Sequence, residues 1–455
     1  MSQKKYLKWY NKIGYGSGDI AGNVVYALLS SFVMIYLTDT VGLSSGIVGT
    51  LMMISKLFDG VTDIFFGSMI DKTKSKLGKA RPWMLWAYFG CSAMIVAIFA
   101  IPVHWSLGAK YAWFFIAYTA LNAVFYTANN IAYSALTALI TKNGRERVQM
   151  GSIRFMFAFG TSLLIQTITV DAVEYFGNGA EGWKIVAIIY AILGLITNTI
   201  STLSVKELPE KELAHTSKEG PSDSEKYTLK DAARLLVSNK YYLIICCVYI
   251  LMQIFTATIN MGIFFMTYIL GDASLLGTFS WAINIPMILG LLLAPTLVKK
   301  CNGMFKLNLA GYIIATIARG LVIAAGYMGS LPLMLLFSAI ASLGMSPLQG
   351  DLNALIAACS EYTFLTKKKR IDGTMYSCTS LGVKIGGGIG TAVTGWLLDA
   401  SGYIPNATVQ PDSCINMLYI IYLWIPMLIN LVITIFLSKL NVEKENTRLL
   451  QHKAM

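Results

Sequence analysis

The chain has 455 residues, of which 55% are hydrophobic and 13% are charged, and its formal net charge is +12. Soluble proteins average about 25% charged residues, so this composition excludes a soluble globular protein and indicates one that crosses a membrane several times. The seven cysteines show no disulfide or metal-binding spacing and are expected to be small residues of the membrane core.

Twelve apolar runs of spanning length follow one another along the chain, six before and six after a polar stretch. The runs lie at 12–37, 44–70, 82–104, 110–140, 149–173 and 182–204, and at 241–270, 273–298, 305–327, 330–358, 374–398 and 414–438. The sequence therefore predicts an all-α membrane protein of twelve transmembrane helices. The predicted domains are a six-helix bundle at 1–205, a linker at 206–240, a second six-helix bundle at 241–438 and a tail at 439–455.

The distribution of lysine and arginine predicts the orientation. Thirty of the 36 basic residues lie in the N-terminus, alternate loops, the linker and the tail, whereas the opposite loops hold only Lys110 and Lys184. Cytoplasmic loops are the ones enriched in Lys and Arg, so both termini are predicted to be cytoplasmic. A nucleic-acid-binding surface would not alternate loop by loop, and we expect no nucleic-acid partner. The expected location is a cell membrane, of the bacterial cytoplasmic type.

A pair of aspartates inside the second run is the most unusual feature. Asp59 and Asp63 are four residues apart, so both carboxylates lie on one face of a helix. An ionised carboxylate at the centre of a bilayer costs at least about 2.5 kcal/mol, and two nearby carboxylates also repel each other. Such a pair needs a cation, which predicts an ion or proton site. The alternative is a structural salt bridge with Lys56 or Lys384.

Counting the remaining charges inside the predicted spans gives equal numbers of each sign. The cations are Lys56, Arg154, Arg319 and Lys384, and the acids are Asp19, Asp59, Asp63 and Asp351. This balance predicts an internal network of mutually compensating charges. Arg319 and Asp351 match no motif, and we expect them to serve structural charge compensation. Asp19 with Arg154 could likewise be a structural pair.

Glycines around Lys384, among them Gly386 and Gly390, admit two interpretations. A phosphate-binding loop would follow a strand, whereas this run lies within a predicted membrane helix. We therefore expect close helix packing. Two six-helix halves joined by a polar linker are typical of transporters that bind substrate between the halves and alternate access.

Several motifs resemble one family in the same order and topology. They are Tyr15–Asp19, Gly67–Trp83 after the second run, Arg145–Arg147, and Lys369–Ser377. The chain resembles the glycoside–pentoside–hexuronide:cation symporters of the major facilitator superfamily along essentially its whole length. The resemblance implies the major facilitator fold, with its two six-helix bundles.

The family resemblance also implies a cation site. The paired acids Asp59 and Asp63 would hold the coupling cation, H+ or Na+, with help from the Thr127 hydroxyl and with Lys384 nearby. Thr62 lies between the two acids and offers another oxygen, and Na+ is expected to prefer several oxygen ligands, as other hard cations do.

The same resemblance implies a sugar site and gating residues. Asp19 and Arg154 match residues that hold sugar hydroxyls. Further substrate-site candidates are Asn130, Ser134, Gln349, Ser380 and Lys384, and the gating candidates are Asp71, Glu361 and Arg370. Several positions depart from the family pattern: Asn130 replaces an aspartate, Ser134 a tryptophan and Gln349 an aromatic residue. Thr62 replaces an asparagine and Ala358 an acid.

The predicted function is cation-coupled symport of a sugar or glycoside into the cell, with no enzyme activity and no cofactor beyond the coupling cation. The expected partners are the sugar, the cation and the lipid bilayer. The alternatives are a transporter of another polar or lipid-like solute on the same fold, or a sensor built on a transporter fold. Asp19, Arg154 and Gln349 favour a polar ligand, and the 17-residue tail offers no signalling domain.

Overall fold

The computed structural model describes residues 5–141, 143–209, 229–301, 303–368 and 372–454. Within these residues the regular structure is helical. The first half holds α1 (Trp9–Gly16), α2 (Gly18–Ile35), α3 (Ser45–Lys72), α4 (Arg81–Phe99), α5 (Leu107–Thr119), α6 (Thr127–Ile140), α7 (Gly144–Tyr175) and α8 (Gly179–Leu203). The second half holds α9 (Leu229–Ser238), α10 (Lys240–Asn260), α11 (Gly262–Phe265), α12 (Leu275–Lys300), α13 (Met304–Tyr327), α14 (Leu331–Lys367), α15 (Asp372–Ala400), α16 (Asp412–Tyr419), α17 (Ile425–Ser438) and α18 (Val442–Ala454).

Four π-helical segments interrupt the helices, at Tyr36–Thr40, Ala120–Tyr126, Met266–Leu270 and Ile420–Trp424. A π turn accommodates an extra residue, and such turns often occur at functional sites. The first of these segments contains Asp39, and the second ends directly before Thr127.

Nine helices of the described residues are long and apolar enough to cross a membrane. They are Trp9–Thr40, Arg81–Phe99, Gln149–Tyr175, Gly179–Leu203, Lys240–Leu270, Leu275–Ala294, Met304–Tyr327, Leu331–Leu352 and Asp412–Gln451. The other three predicted spans, 44–70, 110–140 and 374–398, are also helical over nearly all their length but are more polar. The count of twelve and the cytoplasmic termini remain predictions.

By contacts the chain forms two compact units. Unit 1 comprises the described residues of 1–220, 266–277 and 391–414, and unit 2 comprises those of 221–265, 278–390 and 415–455. Unit 1 therefore combines the first half of the chain with two short stretches from the second half. The bundles at 1–205 and 241–438 remain a prediction from the span pattern.

Glutamates after the last long helix of each half stabilise the start of another helix in the same unit. In unit 1 the Glu207 carboxylate accepts hydrogen bonds from the amides of Lys79, Ala80 and Arg81, at 2.7, 2.9 and 3.0 Å. In unit 2 Glu443 accepts from the amide of Phe305 at 2.9 Å. The first amides of a helix have no partner within the helix, and a negative charge there is favourable.

The N-terminal segment is attached to the start of α7 by Glu146, whose side chain is 3% exposed. Its carboxylate accepts from the amides of Tyr6 and Leu7, both at 3.2 Å, and from the Thr141 hydroxyl at 2.7 Å. Lys12 adds an ion pair at 3.6 Å. Burial raises the pKa of Glu146, but these hydrogen bonds and the charge of Lys12 together lower it below its ordinary value.

Candidate functional site

An ion pair joins α2 to α7 inside unit 1. Nε of Arg154 lies 2.7 Å from Oδ2 of Asp19, and Nη2 lies 3.4 Å from Oδ1. The two side chains are 23% and 16% exposed, so both remain accessible. A guanidinium has five N–H donors, and two of them are used by Asp19. The pair can therefore still donate several hydrogen bonds to hydroxyl groups of a ligand.

Tyr133 on α6 completes this pair, and the sequence analysis did not identify it. Its hydroxyl lies 2.7 Å from Oδ2 of Asp19 and 2.9 Å from the Tyr15 carbonyl oxygen. The Arg154 guanidinium stacks on its ring, 4.0 Å from the ring centre, in a cation–π contact. A signal was present, since Tyr133 follows the predicted residue Asn130 by three positions on the same helix.

Glycine before Asp19 allows this close arrangement. A Cβ atom at Gly18 would lie 2.9 Å from the Tyr133 ring and 2.7 Å from the Ser201 hydroxyl, both closer than ordinary van der Waals contact. A larger residue would therefore push α2 away from α6 and separate Asp19 from the Tyr133 hydroxyl.

A second polar cluster lies between α3 and the start of α6. The Thr127 hydroxyl is in hydrogen-bond contact with Oδ1 of Asp59 and lies 2.8 Å from the Asn122 carbonyl oxygen. Asn122 belongs to the π segment Ala120–Tyr126, directly before Thr127, so the wider turn makes its carbonyl available to a side chain. The structure thus brings together two residues that are 68 positions apart in the chain.

The other residues predicted for the cation site in unit 1 lie on α3. Asp63 is one turn beyond Asp59 on the same helix, in agreement with the four-residue spacing. The Thr62 hydroxyl donates to the carbonyl oxygen of Asp59 at 3.1 Å, so its proton is directed to the helix backbone. Lys56, one turn before Asp59, lies 3.4 Å from the Thr391 hydroxyl. Carboxylate and hydroxyl oxygens at this place fit a hard monovalent cation and also fit a proton.

The remaining substrate-site and gating candidates differ in how far the structure describes them. In unit 1, Asn130 and Ser134 are exposed on α6. In unit 2, Gln349 is exposed and Glu361 half-buried on α14, and Lys384 is half-buried on α15. The side chains of Asp71 and Ser380, and the whole of Arg370, lie outside the described part of the structure.

Arg319 and Asp351, both expected to serve structural charge compensation, do not lie beside each other. Asp351 accepts a hydrogen bond from Nδ2 of Asn308 at 3.4 Å. Arg319 lies eleven residues beyond Asn308 on α13, roughly 16 Å along the helix. Its guanidinium instead lies over the Phe255 ring, 5.1 Å from the centre. Equal charge numbers do not require pairing, because each group can find a neutral neighbour.

Close packing explains the glycines near Lys384, as the sequence predicted. A Cβ atom at Gly386 would lie 3.0 Å from Cα of Ile250, and one at Gly390 would lie 2.9 Å from Cα of Ile254. Both glycines therefore let α15 approach the backbone of α10 within unit 2.

A further acid, the half-buried Asp39, was missed because it follows the predicted end of the first span at residue 37. It lies in the π segment Tyr36–Thr40 and accepts hydrogen bonds from the hydroxyl of Tyr268, at 2.5 Å, and from that of Tyr403. Asn406 donates to its backbone carbonyl. Burial and the charge of Asp39 raise the pKa of Tyr403, which therefore stays a proton donor. These contacts are among those that join the stretches 266–277 and 391–414 to the first half of the chain in unit 1.

Comparison with known proteins gives consistent results. Residues 14–444 match the family described as MFS/sugar transport protein. An isoprimeverose transporter of Lactiplantibacillus pentosus is 28% identical over 429 residues, which cover 93% of this chain and 86% of the relative. A putative glycoside/cation symporter, YagG, of Escherichia coli (strain K12) is 27% identical and covers 98% of this chain and 96% of the relative.

Solved structures show the same fold at low sequence identity. The crystal structure of a D-xylose-proton symporter matches with a TM-score of 0.65 and 15% identity, covering 96% of this chain and 98% of that one. At this identity the match reports on the fold alone.

Proposed function

This chain belongs to the MFS/sugar transport protein family, and on that premise we propose that it moves a sugar or glycoside into the cell together with a cation, H+ or Na+. It is a multi-pass membrane transporter of the glycoside–pentoside–hexuronide:cation type, and relatives are named as sugar and glycoside carriers. Because this is a family of transporters, the prediction that the chain is not an enzyme is confirmed.

The observation that carries the proposal is the contact between Asp59 and Thr127. A carboxylate and a hydroxyl held together inside a membrane helix pair provide oxygen ligands for Na+ or an acceptor for a proton. Either cation would neutralise charge that is costly within a bilayer.

Asp19, Arg154 and Tyr133 support the sugar half of the proposal. Charged donors and acceptors make stronger hydrogen bonds than neutral ones, and the buried Tyr133 ring supports the Arg154 guanidinium. Such a charged, accessible cluster favours a polar solute over a lipid-like one. Cation and sugar must raise each other's affinity by the same factor.

The membrane potential supplies the driving force in this scheme. One positive charge that moves inward through 100 mV releases about 2.3 kcal/mol, which corresponds to roughly fifty-fold accumulation of the sugar. Each solute would reach the opposite side by alternating access.

Uptake of labelled glycosides into vesicles, with and without an imposed Na+ or proton gradient, tests the proposal. The double variant Asp59→Cys, Asp63→Cys should lose gradient-driven accumulation and keep some exchange. Asp171→Asn, which changes an exposed acid of α7, serves as the control and should accumulate sugar normally. Full accumulation by the double variant would contradict the cation site, and absence of sugar movement in the natural chain would contradict the function.

A further inference from the structure

A second polar pair lies next to Asp19 and Arg154 in unit 1. Asn23 follows Asp19 by four residues on α2, and Ser162 follows Arg154 by eight on α7, so each lies on the same helix face as the charged residue before it. The Ser162 hydroxyl donates to Oδ1 of Asn23 at 3.3 Å. Four residues rise about 6 Å and eight about 12 Å along a helix, so the pair lies one turn from Asp19 on α2 and two turns from Arg154 on α7.

This pair retains unused hydrogen-bonding capacity. Nδ2 of Asn23 donates one proton to the Asp19 carbonyl oxygen at 2.8 Å. An amide group has two N–H donors and two acceptor positions, and a hydroxyl has two acceptor positions. One N–H of Asn23, one lone pair of its Oδ1 and the lone pairs of Ser162 therefore remain for a ligand. Both side chains are partly accessible.

The remaining groups match sugar hydroxyls better than they match any ion. One N–H donor and two acceptor atoms, Oδ1 of Asn23 and Oγ of Ser162, lie side by side without net charge, and each sugar hydroxyl is itself both a donor and an acceptor. A pair that only tied α2 to α7 would be expected to be buried with its polar groups satisfied. This one is partly accessible, and its single interhelical hydrogen bond of 3.3 Å is long.

We propose that Asn23 and Ser162 form a second sugar subsite, which binds the hydroxyls of a second ring or of a polar aglycone. The substrates are then disaccharides or glycosides whose length spans both pairs, with one ring at Asp19 and Arg154 and the next unit one to two helical turns away. This inference rests on the proposed function, since it assigns a length to the sugar that is carried.

Matched sugars of one and two units test the subsite in the full-length protein reconstituted into vesicles. The probes are xylobiose with methyl xyloside, melibiose with methyl galactoside, and cellobiose with methyl glucoside. Asn23→Ala and Ser162→Ala should each raise KM for the transported disaccharide about fivefold, the factor for one net hydrogen bond. Neither should change KM for the matched methyl glycoside.

Two controls separate this inference from its alternatives. Ser30→Ala removes a hydroxyl of α2 that donates to the Ala27 carbonyl of its own helix, and it should leave both KM values unchanged. Arg154→Gln should raise KM for both the one-unit and the two-unit sugar of a matched pair. Equal losses for one-unit and two-unit sugars in Asn23→Ala, or no loss for either, would overturn the subsite while leaving sugar transport intact. Failure of every probe to move in the natural chain would instead contradict the proposed function, and the subsite with it.

Discussion

At the scale of single residues, Tyr133 has two separate effects on the ion pair. Its hydroxyl contacts the Asp19 carboxylate at 2.7 Å, and its ring supports the Arg154 guanidinium at 4.0 Å. The hydroxyl restrains the acid and the ring restrains the base, so the two charged groups keep a fixed relative position. A preorganised site avoids the ordering cost that a mobile arginine would add on binding.

Tyr133→Phe separates these two effects, because it removes the hydroxyl and keeps the ring. A hydrogen bond to a charged group contributes about 1.5–3 kcal/mol, so we expect KM for the sugar to rise at least tenfold. The cation concentration needed for half-maximal uptake should change only because sugar and cation affinities are coupled. Tyr126→Phe is the matched control on the same stretch of chain, since its hydroxyl lies 3.5 Å from the Gly22 carbonyl oxygen and contributes little. Uptake kinetics at saturating cation measure both. Equal effects of the two variants would contradict the role of Tyr133.

Sequence reasoning identified the charged site residues and the neutral Thr127, but it missed Tyr133, Asn23 and Ser162. Asp19, Arg154 and Asp59 could be recognised because a charge inside an apolar run is costly and therefore demands an explanation. Tyr133, Asn23 and Ser162 carry no such cost, and polar neutral residues are common in membrane helices. Their importance depends on which residue faces them, and that is fixed only by the packing of α2, α6 and α7.

At the scale of elements, the three predicted spans that are least apolar contain the residues of the predicted cation site. The stretch 44–70 holds Asp59 and Asp63, the stretch 110–140 holds Thr127, and the stretch 374–398 holds Lys384. Their helical structure followed from the run lengths. The π segment Ala120–Tyr126 could not be predicted, because an extra residue in a turn is set by neighbouring helices rather than by local propensity.

The attachment of the N-terminal segment to α7 gives a prediction about pH. The pKa of Glu146 is lowered on folding, so its contribution to stability is complete above the ordinary value of about 4.3. That contribution is lost as the pH falls through the lower folded value. Glu146→Gln loses the ion pair with Lys12 and accepts weaker hydrogen bonds from the two amides. It should therefore lower the free energy of unfolding by about 1–3 kcal/mol near pH 7.

Thermal unfolding of the two purified proteins between pH 3 and pH 7 measures this difference. The gap in Tm should shrink as the pH falls through the lowered pKa of Glu146, because the natural side chain then becomes neutral as well. Lys8→Gln, which changes a lysine outside the Glu146 contacts, is a control for the loss of charge in the segment. A gap that stays constant across the range would show that the carboxylate charge is not what holds the segment.

At the scale of the whole molecule, the family and the helical architecture could be predicted from the sequence. The division of the chain into two compact units could not. Run lengths and basic loops are local signals, and they predicted membrane helices in the places where helices occur. Asp39 pairs with Tyr268 and Tyr403, which are 229 and 364 positions away. No local pattern reports contacts over such distances, so the membership of 266–277 and 391–414 in unit 1 had to come from the structure.

The same separations impose an order on synthesis. A ribosome makes Asp39 long before it makes either tyrosine, so at first the acid has the Thr38 hydroxyl, at 2.8 Å, but neither tyrosine hydroxyl. A fragment that ends at residue 209 would never gain them. We expect this fragment to reach higher steady-state levels in membranes with Asp39→Asn than with Asp39, because an amide costs less to leave unsatisfied than a carboxylate.

Immunoblotting of membranes measures those levels, and Asp171→Asn in the same fragment is the control for loss of an acid. In the full-length protein we expect the opposite order, with Asp39→Asn at lower membrane levels than the natural chain. The asparagine would there lose one of the two hydrogen bonds from the tyrosines. Equal levels of both fragments would contradict the idea. If it holds, the last quarter of the chain completes a site that the first forty residues began, and for most of its synthesis a nascent chain must tolerate an acid that lacks its tyrosine partners.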